Sequence, residues 1–127
     1  MIRIEALADA LAKLNGYGDP SSLAYKLRNP GLLRSFSIKH AADPDGYRIF
    51  DRFVNGYQAL CNDLSVKASG HSRSQVKEDS VLADLLICYS LPRTSTDTVI
   101  TFLGHALPEH LAAISRTTKL SFFIEVK

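Results

Sequence analysis

Apolar residues recur at intervals of three and four along most of this chain, and that spacing confines it to a fold built mainly from amphipathic helices. Ile4, Leu7, Leu11 and Leu14 mark a first helix from Ile2 to Leu14, with Arg3, Glu5, Asp9 and Lys13 on its other faces. Phe53, Tyr57, Leu60, Cys61 and Leu64 mark a second long helix, which ends before Gly70. Val81, Leu82, Leu85, Leu86 and Tyr89 mark a third, and Val99, Ile100, Leu103 and Leu107 a fourth. Capping and breaking residues set the ends. Asn15-Gly16 closes the first helix, Asp51 is the expected cap of the second, and Asp79 or Ser80 that of the third. Pro92 stops the third, Ser95 or Thr96 starts the fourth, and Pro108 suits the first turn of a short fifth helix ending near Ile114.

Three segments depart from this pattern. Ser22 to Leu27, capped by Ser21 or Ser22, reads as a short helix that presents an Asn29-Pro30-Gly31 loop. Phe36 and Ile38 alternate with polar residues between Ser35 and His40, and Asp43-Pro44-Asp45-Gly46 then precedes Tyr47 to Phe50, which predicts a small β-hairpin. Lys119 to Lys127 alternates Leu120, Phe122, Ile124 and Val126 against Ser121, Phe123, Glu125 and Lys127, and period two predicts an extra C-terminal strand. The expected class is therefore mostly α with a small β-hairpin (α+β), as one domain over residues 1–127.

A chain of 127 residues buries roughly two thirds of its unfolded surface. Its 46% hydrophobic and 22% charged residues are ordinary for a globular protein. A net charge of +2 is too weak to argue for a polyanionic partner, and the basic stretch Lys67, His71, Arg73, Lys77 reads as a solvated surface loop rather than a nucleic-acid site. Cys61 and Cys88 sit in apolar helical patterns without metal spacing and read as two buried thiols in a reducing compartment. His105, Glu109 and His110 lie close together, but HALPEH is not a zinc-binding helix motif and Pro108 interrupts it. Neither a metal nor a cofactor is expected. Arg3, Glu5 and Asp9 interrupt any signal-peptide core, and no run reaches the roughly 18 apolar residues of a membrane span. The expectation is synthesis in a cytoplasm.

The segment LNGYGDPSSLAYKLRNPGLLR, from Leu14 to Arg34, carries Gly16, Tyr17, Ser22, Leu23, Ala24, Asn29, Pro30, Gly31, Leu33 and Arg34 in a fixed order. Further on stand Gly46, Tyr47 and Phe50, then Gly56, Tyr57, Ala59, Leu60, Asp63, Leu64, Lys67, Gly70 and Ser72. Leu82, Asp84, Leu85, Tyr89 and Pro92 form a looser third block. In this order the three blocks resemble the small lysozyme-like, lytic-transglycosylase-like domain of phages and bacterial genomes, often labelled a phage structural protein. The resemblance departs at Asn15, where the family has Glu. It also departs at Leu27, Arg28 and Leu32, each of which replaces an Asn. Whether Leu27 and Leu32 join the core or stay exposed is left open by the sequence.

The resemblance implies a lysozyme-like helical domain with its hairpin beside a glycan cleft, and an acid at the C-terminal end of the first helix. Cleaving a glycosidic bond needs a carboxylic acid that delivers a proton to the leaving oxygen, and an amide cannot do so. Losing general acid catalysis costs about 100- to 10,000-fold. Asp19 is the nearest candidate catalytic carboxylate, although Asp in a Gly18-Asp19-Pro20 turn ordinarily bonds its own backbone. Asp43, Asp45 and Asp51 are candidate second carboxylates of the same turn-forming type. Asn15, Tyr17, Asn29 and Tyr57 are the candidate substrate-binding residues, offering amides and aromatic faces to a sugar. The expected function is a degenerate, non-catalytic phage or prophage protein, either a virion or assembly component or a binder of peptidoglycan or protein. The alternatives are an active peptidoglycan hydrolase or transglycosylase using Asp19, and a small phage inhibitor of a host protein.

Overall fold

Alanine and leucine dominate the first helix, and small side chains allow other elements to approach it on several sides. The computed structural model describes residues 2–34, 41–70, 77, 79–89, 91 and 95–124. Helix α1 (Ile2–Leu14) buries Ile4, Leu7 and Leu11 completely, together with Ala6, Ala8, Ala10 and Ala12. Glu5, Asp9 and Lys13 form its exposed stripe, at the four-residue spacing that keeps side chains on one face. Helix α2 is the short turn Leu23–Lys26, α3 is Phe53–Ala68, α4 is Leu82–Cys88 and α5 is Thr96–Ala106. Helix α1 packs against both α3 and α5. One core joins its apolar face to Leu60 and Leu64 of α3, Leu82, Leu85 and Leu86 of α4, and Val99 and Leu103 of α5. The class is mostly helical, and no helix among the described residues is long and apolar enough to cross a membrane.

Two of the expected side-chain caps do not form, and backbone partners replace one of them. Helix α3 begins after Arg52 rather than Asp51, without a side-chain cap. Helix α4 begins after Val81, and its first amides are satisfied from across the chain: Leu82 donates to the Thr118 carbonyl at 2.9 Å and Ala83 to that of Arg116 at 3.2 Å. Ser80 instead accepts from the Lys77 amide at 3.0 Å. The cap of α2 is as expected, with the Ser22 hydroxyl accepting from the Tyr25 amide at 3.1 Å. Helix α4 ends at Cys88, and Pro92 lies outside the described residues. Cys61 is buried but Cys88 is exposed, because it falls outside the stripe made by Leu82, Leu85, Leu86 and Tyr89. Neither forms a disulfide among the described residues.

The predicted hairpin arm Ser35 to His40 lies outside the described residues, and so does most of the basic loop from His71. The described residues around the Asp43–Gly46 turn form isolated antiparallel bridges, Arg34 with Tyr47 and Ala42 with Arg48, rather than strands. The C-terminal expectation is corrected. Leu120–Phe123 is a 3-10 helix, so Leu120 and Phe123, three residues apart, share one buried face where an alternating strand would have separated them. This turn closes on α1 and α3, and Arg3 clasps it by donating to the Phe122 carbonyl at 2.8 Å and lying 4.3 Å from the Phe122 ring centre. Pro108–Ala113 is helical as expected, though of 3-10 type.

Helix α3 meets the Asn29-Pro30-Gly31 loop at unusually close range. A Cβ added to Gly56 would lie 1.9 Å from the Arg28 carbonyl oxygen and 3.1 Å from Pro30 Cδ, and one added to Gly31 would lie 2.5 Å from Leu60 Cδ1. Two residues beside this loop hold left-handed backbone without being glycine, Arg28 at φ 53° and Leu32 at φ 49°. Such a conformation costs an L-residue roughly 1–2 kcal/mol, and least for Asn. Leu27 has joined the core, while Leu32 is half-buried. Gly56→Ala is expected to destabilise the fold by about 3 kcal/mol, at the upper end for overpacking because the obstacle is backbone rather than a flexible side chain. Chemical denaturation measures it, and a loss under about 0.5 kcal/mol would contradict this packing.

Candidate functional site

Asn15 and Gly16 end α1 in a Schellman arrangement. Gly16 stands at φ 75°, the Tyr17 amide donates to the Ala12 carbonyl at 2.9 Å, and the Gly16 amide to that of Lys13 at 3.0 Å. This fixes the direction of the Asn15 side chain. Its Nδ2 donates to the Pro30 carbonyl at 2.9 Å, linking the end of α1 to the Asn29-Pro30-Gly31 loop. At the position where the resembled pattern carries an acid, the chain therefore has a donor engaged in holding its own loop.

Asn29 is fully buried, and every polar atom it owns is engaged. Its Nδ2 donates to the carbonyls of Leu33 and Arg48, each at 2.9 Å, and its Oδ1 accepts from the Leu33 amide at 2.9 Å. Two carbonyls on one side and an amide on the other admit only this orientation of the carboxamide. Its backbone amide donates to Ala24 at 2.9 Å and its carbonyl accepts from Leu32 at 3.0 Å. The residue joins α2, the loop and the segment after the Asp43–Gly46 turn, which leaves it nothing to offer a substrate.

Asp19 is exposed, and its carboxylate accepts from the Ser21 amide at 2.9 Å and the Ser21 hydroxyl at 2.8 Å. These bonds hold its pKa below the ordinary carboxylate value. A general acid needs the opposite displacement. Asp43 is a turn residue too, accepting from the amides of Asp45 at 3.1 Å and Tyr47 at 2.8 Å. Asp51 is exposed, and its backbone carbonyl takes a hydrogen bond from Arg28.

The two candidate tyrosines point to different places. Tyr17 meets the Phe53 ring edge-on, 5.6 Å between centres. Its hydroxyl is buried and has no partner among the described residues; burial raises its pKa, partly offset by Arg28. The Tyr57 hydroxyl donates to the Glu5 carbonyl at 3.4 Å and faces Asp9, and burial first, then Asp9, pushes its pKa far above the usual tyrosine range. Glu5 precedes Asn15 by ten residues, about 15 Å of helical rise, so the Tyr57 hydroxyl does not join the Asn15 end of α1. Asn15, Tyr17 and Asp19 share one end of the molecule, while Asn29 turns inward from it.

Two shallow concavities border these elements. One, of about 260 Å³, runs along α1 past Asp9, Lys13 and Tyr17 to Phe102 of α5. The other, of about 630 Å³, lies between Arg48 to Asp51 and the outer face of α3, where Asn55, Gln58 and Asn62 contribute carboxamides. That amide row was missed in the sequence, although its three-and-four spacing was there to be read as a polar helical face. A buried group was missed as well. Asp63 accepts from both Lys67 and Tyr89, and Lys67 lies 4.7 Å from the Tyr89 ring centre, which ties α3 to α4 and raises the Tyr89 pKa through burial and the nearby carboxylate. Among the described residues no cluster of His, Cys, Asp and Glu is able to hold a metal ion.

No protein-family model, curated protein or solved structure matches this chain. Its chemistry must therefore be argued from its own residues. Asn29→Ala is expected to cost about 2–4 kcal/mol, because it removes three bonds and leaves the Leu33 amide and the Arg48 carbonyl without a partner, against about 1 kcal/mol for Asn15→Ala, which removes a single bond. Denaturant melts of both variants check this, and equal losses would contradict it.

Asp19 predicts a pH effect of defined sign. Its folded pKa lies below the unfolded value, so its contribution to stability is present above the unfolded pKa and is lost as pH falls through the folded one. A carboxyl-carbon NMR titration is expected to give a midpoint below the ordinary value of about 3.9. A midpoint above it would reopen Asp19 as an acid.

Proposed function

We propose that this chain is a degenerate lysozyme-like domain of phage or prophage type that binds rather than cleaves. The single observation that carries this reading is the Asn15 side chain. It stands at the end of a helix where glycoside chemistry in the resembled family requires a carboxylic acid, and its amide is engaged with the Pro30 carbonyl. Asp19 offers no rescue, because its carboxylate is a turn acceptor with a lowered pKa. The lysozyme-like part of the reading is supported by the backbone. Arg28 and Leu32 occupy left-handed conformations at positions where the resembled pattern has Asn, the non-glycine residue that tolerates them best. The shared glycines Gly31 and Gly56 are those that the close loop-to-helix packing requires.

A scaffold without its acid serves by binding. The carboxamides of Asn55, Gln58 and Asn62 on the outer face of α3 offer hydrogen bonds that suit peptidoglycan glycan as the ligand, with a role as a virion or assembly component. The native chain is expected to co-sediment with insoluble peptidoglycan and to release no soluble fragments from it. Asp19→Asn is expected to change neither result. Release by the native chain that disappears in Asp19→Asn would overturn the proposal in favour of an active hydrolase. Release gained by Asn15→Glu would support a lysozyme-like cleft that has lost its acid.

A further inference from the structure

We draw no further inference here: the strongest candidate, the concavity between Arg48 to Asp51 and the carboxamides of Asn55, Gln58 and Asn62 on the outer face of α3, belongs to the glycan-binding surface already proposed, and nothing in the structure shows any other occupant.

Discussion

The carboxamide of Asn29 is the interaction on which the rest of this structure depends. It lies fully buried and bonds Leu33 twice and Arg48 once, so it reinforces the backbone pairing where the described residues form only isolated bridges. A buried, fully satisfied polar hub fixes geometry more sharply than apolar contact does, because each missing bond leaves a desolvated group behind. Around it the loop acquires one shape, and helix α3 is drawn close enough that only glycine fits at position 56. Asn15 adds a second tie from the end of α1. The motif from Leu14 to Arg34 is thus first a device for joining three segments, and only secondarily a place for chemistry.

The same geometry bears on the proposal that position 15 lacks a catalytic acid. An acid at position 15 would have to stand beside the Pro30 carbonyl oxygen, a neighbour that accepts a proton-bearing group and repels a charged one. An amide in its place makes a stable neutral hydrogen bond and removes the proton that glycoside cleavage needs. Arg28 and Leu32 both hold left-handed backbone. At Leu32 the side chain is half-buried, so some apolar contact offsets the backbone cost. At Arg28 it is exposed, and its guanidinium donates to the Asp51 carbonyl at the start of α3.

Legibility in the sequence followed the range of the forces involved. Helices α1, α3, α4 and α5 were readable because burial of a periodic stripe is written locally in residues such as Leu7, Leu60, Leu85 and Leu103. The start of α4 was not, because carbonyls of residues 116 and 118, far along the chain, satisfy its first amides. The tail from Leu120 misled for a related reason. Its alternation is real, but Leu120 and Phe123 are recruited by α1 and α3, and three-residue spacing in a 3-10 turn buries both. At the candidate site, the turn character of Asp19 and the exclusion of Asn15 as an acid followed from residue chemistry alone. That Asn29 is wholly engaged, and that Tyr57 reaches back to Glu5, required knowing which segments meet.

The most direct test of the Asn29 hub is native-state hydrogen exchange followed by NMR, read at the Asn29 side-chain amide and the Leu33 backbone amide. If the hub holds the loop as described, both groups exchange only through global unfolding, with the same apparent free energy as the Leu60 and Leu103 amides of the core. Exchange at those two sites on the timescale of an exposed loop, while the core helices remain protected, would contradict it and leave the loop without the fixed shape on which the functional reading rests.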